Sequence, residues 1–370
     1  MAEVILRNIF KRINGVEFLK DLNLEAADGA FCVLAGPAAS GKTLLLRIIA
    51  GLEDINKGDI LMDNVSIKNE SPKKRDIAMV FQNFALYPAM TVYENMAFGL
   101  KIKSFKRKDI FARICEAAEM LNIENILGKY PKEISEEEKQ RTAIGRALVK
   151  KPKVFLFDEP LSNVNLQSRA KIRLELKKLQ KRLKSTFIYA TRDKTEALSL
   201  ADTICLLREG TVEQISETSI IYENPINKFT ADFLSSPSMN FFQIDVMRKA
   251  NGAICFSEGN FDLLLTEGLK EKFNIFLGQK LIVGIRPEHI YLKYKSIMSD
   301  EEKNSYSFKG KIELIEPLGS KTNLHLNTGK HKFIVEINFS NTFREEEEIE
   351  LVMDYNKMYV FNSQDGARIV

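Results

Sequence analysis

The chain has 370 residues, enough for two or three domains of ordinary size. Hydrophobic residues make up 45% and charged residues 28%, which excludes disorder, collagen-like repeats and a small disulfide scaffold. With 54 basic against 50 acidic residues, the formal net charge is +4, too mild for a nucleic-acid footprint.

The opening stretch MAEVILRNIFKRING mixes charges into its apolar residues and lacks the apolar run of a signal peptide. No apolar run approaches the roughly 18 residues of a membrane span, so any membrane role must come from docking onto another protein's spans. Four cysteines, Cys32, Cys115, Cys205 and Cys255, stand far apart with no metal-ligand spacing. They read as reduced, buried thiols.

Short apolar runs alternate with helical patterns over the first 235 residues, which predicts an α/β domain with a largely parallel sheet. Strands are expected at Val4–Ile9, Phe31–Ala35, Ile77–Phe81, Val154–Phe157, Thr186–Ala190 and Thr203–Leu207. Helices are clearest at Asp109–Leu121 and Ser168–Leu183. In the second, Ile172, Leu176, Leu179 and Leu183 form one apolar stripe opposite a Lys/Arg face. Ser235-Ser236-Pro237-Ser238 interrupts the pattern and marks an expected boundary. Beyond it, Leu281–Ile285, Ser307–Ile315, Asn323–Leu326 and Lys332–Ile337 read as strands of a small β-barrel-like domain spanning 236–370.

Gly36-Pro37-Ala38-Ala39-Ser40-Gly41-Lys42-Thr43 fits GxxxxGK[ST], between the apolar strand FCVLA and the helical run TLLLRIIAG. Glycines let backbone N–H groups turn inward around phosphate oxygens, and the helix N-terminus adds partial positive charge. Lys42 is expected to reach the β- and γ-phosphates of ATP, and the Thr43 hydroxyl to ligate Mg²⁺. The second half of such a site is an acid at the carboxyl end of a neighbouring strand. Val154-Phe155-Leu156-Phe157-Asp158-Glu159 supplies it, with Asp158 in the Mg²⁺ shell and Glu159 placed to polarise an attacking water.

Together with VFQNFALYPAMTVYENMAFGLK, RTAIGRALVKKPKVFLFDEPLSNVN, ATRDKTEAL, GIRPEH and EPLGS, these motifs resemble the ATP-binding cassette (ABC) family. The likeness is to the ATPase subunits of maltose- and glycerol-3-phosphate-type sugar importers, and it covers nearly the whole chain. It implies a P-loop ABC nucleotide-binding domain over 1–235, with a helical subdomain near 83–150. An oligonucleotide-binding-like regulatory domain would follow.

By that resemblance Gln82 senses Mg²⁺ and water, Asn83–Pro88 docks on membrane subunits, and Ser135 belongs to the signature motif that meets the opposing ATP. Ile13 takes the place of the adenine-stacking aromatic, with Phe18 as a stand-in. The implied partners are a second cassette, identical or different, two integral membrane permease subunits and an extracytoplasmic solute-binding protein, with no nucleic acid. The implied location is peripheral, on the cytoplasmic face of the cell membrane.

Four positions depart from the family pattern. The signature Leu-Ser-Gly-Gly-Gln is Ile134-Ser135-Glu136-Glu137-Glu138 here, with both glycines replaced by glutamates. At about 6 Å and an effective dielectric near 20, each charge pair against a γ-phosphate would cost on the order of 3 kcal/mol. The same residues suit an ordinary helix start, with Ser135 and Glu138 as a capping box and acids in the first turn.

The switch Thr-His-Asp is Thr191-Arg192-Asp193, and no histidine precedes His289. Three roles stay open for Arg192: binding the γ-phosphate in cis, pairing with Glu159 and weakening it as a base, or facing solvent. Asn165 replaces the aspartate that couples the two sites, and Ile13 weakens adenine stacking. The sequence therefore predicts Mg-ATP binding with hydrolysis slow or absent in the isolated protein. The alternative is a non-catalytic regulatory cassette that pairs with an active ATPase subunit.

Overall fold

The structure, a computed structural model, describes residues 2–293, 306–339 and 342–370. These form two compact units, Met1–Glu223 and Asn224–Val370.

In chain order, the first unit contains β1 (Val4–Ile13), β2 (Val16–Ala26), β3 (Phe31–Ala35), α1 (Lys42–Ile49), β4 (Lys57–Met62), β5 (Val65–Ser66) and β6 (Ile77–Val80). There follow α2 (Val92–Ile102), α3 (Arg107–Leu121), α4 (Glu136–Leu148), β7 (Val154–Asp158), α5 (Leu166–Leu183) and β8 (Thr186–Thr191). The unit ends with α6 (Lys194–Leu200), β9 (Thr203–Arg208), β10 (Thr211–Glu217) and α7 (Thr218–Glu223). The strands divide into a four-stranded antiparallel sheet, β2-β1-β4-β5, and a six-stranded sheet, β10-β9-β3-β8-β7-β6. All neighbours in the larger sheet are parallel except β10.

The buried parallel strands read as continuous apolar runs because both faces of the sheet are covered. Period 2 still divides them. Leu156 and Ile188 share one core with Leu45 and Ile48 of α1, while Phe155 and Phe157 turn to the other face. There their rings stand 4.9 and 5.1 Å from that of Phe187. The predicted strands all form, and so do both predicted helices. Reading apolar runs alone missed β2, which alternates across an exposed sheet. Its hairpin turn is Asn14-Gly15, both residues at positive φ, as a two-residue turn requires.

Arg75 anchors the end of α1. It is 4% exposed and donates to the carbonyls of Ile48 and Ile49 from Nη1, of Lys68 from Nη2 and of Glu70 from Nε, at 2.8–3.0 Å. A guanidinium there satisfies orphan C-terminal carbonyls and complements the helix dipole. Arg75→Met is expected to lower stability by about 3 kcal/mol, because buried carbonyls lose their donors. Urea unfolding measures it, and a loss below about 0.5 kcal/mol would be the surface-residue result instead.

The second unit begins with α8 (Lys228–Leu234), upstream of Ser235–Ser238. It is tied into this unit by the bonds Lys228 N–H to Gly366 O and Arg368 N–H to Ile226 O. Two five-stranded antiparallel sheets follow and enclose one core, so the domain is a small barrel-like body. Phe242, Ile244 and Val283 from one sheet meet Ile312, Leu324, Val335 and Leu351 from the other. All four cysteines are free thiols. Cys32, Cys205 and Cys255 are buried as expected, whereas Cys115 is half-buried because it sits on the flank of α3.

Candidate nucleotide site

Register places the site. Ala35 pairs with Thr191, Asp158 with Ala190 and Val80 with Phe157, so four adjacent strands end at one edge of the sheet. The loop Gly36–Gly41 leaves β3 there and turns into α1. Gly36 sits at φ +150°, where a Cβ would meet Leu207 O at 2.3 Å; Gly41 sits at +102°, where a Cβ would meet Leu19 Cδ2 at 2.8 Å. No side chain can replace hydrogen at either position without displacing backbone or core. Gly41 is also the N-cap of α1 and offers no side-chain cap to its first N–H groups. Uncapped N–H groups and a dipole suit an incoming anion.

Lys42 folds back over this loop. Its ammonium donates to Gly36 O (2.8 Å), Pro37 O (2.7 Å) and Ser40 Oγ (3.1 Å). Burial pulls its pKa down to about 8, against the opposing pull of Glu159 and Asp158. A phosphate needs the ammonium form. Nucleotide affinity is therefore expected to fall once pH passes about 8, by at most about tenfold per pH unit for a single proton. Calorimetric titrations at pH 7, 8.5 and 9.5 measure the slope, and an affinity flat across that range contradicts the placement.

Thr43 Oγ donates to Asp158 Oδ1 at 2.8 Å, so two oxygen donors stand side by side under the loop. Burial, aided by the neighbouring Glu159 charge, raises the Asp158 carboxyl above its ordinary range, and the Thr43 hydroxyl opposes the rise. Among the described residues no group of three or more His, Cys, Asp or Glu could hold a metal ion alone. The pair instead fits a Mg²⁺ ion bound mostly by phosphate and water oxygens, the usual arrangement for that cation.

Glu159, at φ +42°, hydrogen-bonds through its N–H to Ala190 O at 3.0 Å. Its carboxylate meets Arg192, which donates to Oε2 from Nε at 2.9 Å and from Nη2 at 2.7 Å. Of the three roles open for Arg192, the ion pair is the one formed. Behind it, buried Glu196 accepts from Tyr189 Oη (2.9 Å) and Thr191 Oγ (2.6 Å), which fixes the start of the switch segment. Burial raises the Glu196 carboxyl despite those bonds.

Ser135 is the N-cap of α4, in a reciprocal capping box with Glu138 as the sequence predicts. Each acid of that turn finds a partner in its own chain. Glu136 pairs with Lys139 at 2.6 Å. Glu137 accepts from Ser168 Oγ at 2.7 Å and from Arg141 Nη2 at 3.0 Å. The Ser168 hydroxyl is the main reason its carboxyl lies below the usual range. Arg141 also pairs with Glu175 at 2.8 Å, so α4 is bonded to α5 through Glu137 in its first turn and through Arg141 in its second.

Asn165 caps α5 through the Ser168 N–H at 2.9 Å, and Asn163 Nδ2 donates to Gln82 O at 3.1 Å. The Gln82 side chain is exposed. After it, Phe84 is buried and Tyr87 is 40% exposed. Arg146 of α4 holds the carbonyls of Phe84 and Ala85. Ile13 and Phe18 both lie on the first hairpin, 37% and 44% exposed. Backbone O of Phe18 falls 3.8 Å from the Gly41 Cβ position, so this hairpin borders the phosphate loop.

Sequence reasoning missed Arg146, Arg169 and Ser168. Arg169 bonds Val164 O and Ser162 O and lies 3.8 Å from Asp193. Arg146 and Ser168 reach partners 62 and 31 residues away, and Arg169 folds back on its own preceding loop; spacing carries no signal for any of these.

A parallel sheet whose carboxyl edge bears a glycine-rich phosphate cradle beside an Asp-Glu pair defines a P-loop nucleotide-binding protein. Residues 19–162 match the ABC transporter family, 236–290 the MalK OB fold domain and 283–361 the TOBE domain. The chain is 40% identical to the oligosaccharides import ATP-binding protein MsmX of Bacillus subtilis, over 100% of both chains. It is 38% identical to the trehalose/maltose import ATP-binding protein MalK of Thermococcus litoralis, again over 100% of both. With the sn-glycerol-3-phosphate import ATP-binding protein UgpC of Escherichia coli it also shares 38%, over 100% of both.

Among solved structures, the dimeric ATP-binding cassette MJ0796 in a post-hydrolysis state, bound to ADP and Pi, is similar with a TM-score of 0.53 and 29% identity. That likeness covers 58% of this chain and 98% of the other. The chain belongs to the ABC transporter family as an ATP-binding protein, with a MalK-type OB domain and a TOBE domain after the cassette. Among the described residues no helix is long and apolar enough to cross a membrane.

Proposed function

We propose that the chain is the energy-coupling subunit of an importer for sugars or related solutes, and that it binds Mg-ATP while hydrolysing it slowly or not at all alone. The carrying observation is the intact cradle, with Lys42 over the loop and Thr43 bonded to Asp158 at 2.8 Å. End-to-end likeness to sugar and glycerol-3-phosphate import proteins supports the solute class. In this reading Gly36–Thr43 wrap the phosphates, and Ile13 and Phe18 border the adenine. Thr43, Asp158 and Gln82 face the metal, which when bound would neutralise phosphate charge. Glu159 is the group that orients water.

Slow hydrolysis follows from two contacts. Arg192 occupies the Glu159 carboxylate, and Glu136 and Glu137 put negative charge where a partner's phosphate would lie. The expected partners are a second cassette, two membrane permease subunits and an extracytoplasmic solute-binding protein. The expected place is the cytoplasmic face of the membrane. The acidic signature turn also favours a second reading, a nucleotide-binding cassette that only occupies a place beside an active subunit.

Titration with a fluorescent ATP analogue, with and without Mg²⁺, is expected to give saturable binding, while phosphate release stays below the roughly 1 s⁻¹ floor of ordinary enzymes. Absence of binding overturns the reading, and turnover at ordinary rates overturns its slow-hydrolysis half.

A further inference from the structure

The first unit holds a cavity of about 310 Å³ on the opposite edge of the parallel sheet from the phosphate loop. It opens at the amino ends of β7 and β8, beside Lys151-Pro152-Lys153 and Ser185, whereas the nucleotide site gathers at the carboxyl ends of the same strands. Phe155 on its wall precedes Asp158 by three residues of β7, about 10 Å along a strand. The ends of α4 and α5, with one side of α3, supply the remaining walls.

Those walls are apolar. Ala117, Leu148, Val149 and Phe155 are buried, and Met120 and Leu183 are half-buried. Close packing rarely leaves a gap larger than a water molecule, because wall atoms facing one forfeit their dispersion partners. This cavity is much larger, and it reaches the lower end of the range for small-molecule sites, roughly 300–1,000 Å³. At about 30 Å³ for each heavy atom, the share one water takes in the liquid, it holds on the order of ten.

The rim is cationic. Arg113, Lys151 and Lys153 line it against one carboxylate, Glu116. The Arg113 guanidinium lies 4.7 Å from the centre of the Phe105 ring, and its Nη1 donates to Val149 O at 3.2 Å. These two contacts fix the plane and leave the rest of the fork for another acceptor. Lys151 pairs with Glu116 at 2.8 Å, but the side chains are 55% and 46% exposed, so the pair is weakly held. Lys153 pairs with Asp63, which lies outside the lining. An entering carboxylate takes the Arg113 fork and competes with Glu116 for Lys151, whereas an ammonium meets three like charges. Glu116 stays within reach, which favours a singly charged head over a doubly charged phosphate.

We propose that this cavity binds an amphipathic carboxylate, its apolar body of on the order of ten carbons seated between Ala117, Leu148 and Phe155 and its head on Arg113 and Lys151. Binding is reversible, by contacts alone, and does not depend on the reading of the nucleotide site.

Calorimetric titration of the full-length protein with decanoate is expected to give saturable binding at one site per chain. Decanol and decyltrimethylammonium, which lack the anionic head, are expected to bind at least about tenfold more weakly. Butyrate, which lacks most of the apolar body, is expected at least about a hundredfold weaker. Arg113→Gln weakens decanoate about tenfold and leaves decanol within about twofold. Ala117→Leu fills the cavity and removes the binding of both. The exposed Lys178→Gln on α5 changes neither, and saturating Mg-ATP leaves the decanoate affinity within about twofold.

No binding of decanoate overturns the proposal, as does decanol binding equally well or an Arg113→Gln chain that binds decanoate like wild type. A loss as large in Lys178→Gln as in Arg113→Gln overturns it too, since general surface charge then explains the effect. Displacement by Mg-ATP puts the ligand in the nucleotide site instead, and binding at many sites per chain reports surfactant adsorption. If Ala117→Leu is too large to fold, the rim variant Arg113→Gln still decides.

Discussion

Glu136→Gly, Glu137→Gly and Arg192→His combined in one chain are expected to raise Mg-ATP turnover about a hundredfold or more over wild type. The two halves of the change act on different sides of a cassette pair. Glycines would remove two carboxylates from the turn that, in the proposed pairing, faces a partner's nucleotide; each would oppose a phosphate by at most on the order of 3 kcal/mol at about 6 Å, and by less while paired with Lys139 and Arg141. Histidine would release the Glu159 carboxylate, now held at 2.7 Å by the Arg192 guanidinium. In a homodimer both defects occur in every site, so either half alone is expected to recover less than about tenfold.

The gain has a stability penalty, because Glu137 is tied to Ser168 and Arg141. Arg141 is nearly buried and keeps Glu175 and Leu121 O as partners. The loss should therefore be modest, about 1–2 kcal/mol. Phosphate-release assays and thermal unfolding on the same samples separate the two effects. A triple variant that binds Mg-ATP normally and turns over no faster than wild type sinks the explanation.

Legibility from sequence followed the range of the interactions. The phosphate loop, Asp158 and the Ser135–Glu138 capping box are local patterns: the loop runs into a helix, Asp158 ends a strand and the capping box closes. The Glu159–Arg192 pair joins the ends of two adjacent strands. The motifs named both residues, but only strand register says that they meet. The acidic signature turn shows the limit more sharply. Spacing identifies Glu138 as a cap, whereas the Glu137–Ser168 bond spans 31 residues and needs α4 laid beside α5.

Strands were found where burial on both faces leaves a continuous apolar run, as in β3, β7 and β8. Strands with one wet face were read unevenly: Val4–Ile9, Ser307–Ile315 and Lys332–Ile337 were found, and others were missed. In the second unit Asn240–Arg248 and Glu348–Met353 carry the core through alternate residues such as Phe242, Ile244 and Val246. A reading keyed to apolar runs passes over that alternation.

Lys42→Met is expected to abolish nucleotide binding while leaving the nucleotide-free chain about as stable as wild type. Two opposing effects decide this. Lys42 is 4% exposed, and burial holds its pKa near 8 instead of 10.5, so keeping the ammonium charged at pH 7 costs the folded chain on the order of 3 kcal/mol. Methionine fills similar space without that charge. Against this, the carbonyls of Gly36 and Pro37 lose their donor, a loss of about 1–3 kcal/mol for the pair.

The pH dependence isolates the first effect. Because the folded pKa lies below the unfolded value, the unfolded chain binds the extra proton between about pH 8 and 10.5. Wild-type stability without nucleotide therefore gains from this group as pH rises through that window, and the variant lacks the gain. Nucleotide acts the other way, since phosphate favours the ammonium. At a concentration of about 100 Kd, Mg-ATP should stabilise wild type by about 2.7 kcal/mol and the variant not at all. Denaturant unfolding at pH 7 and 9.5, with and without Mg-ATP, reads all of these together. A variant that unfolds several kcal/mol more easily would make Lys42 a structural brace first. One that Mg-ATP still stabilises would move the phosphates away from this loop.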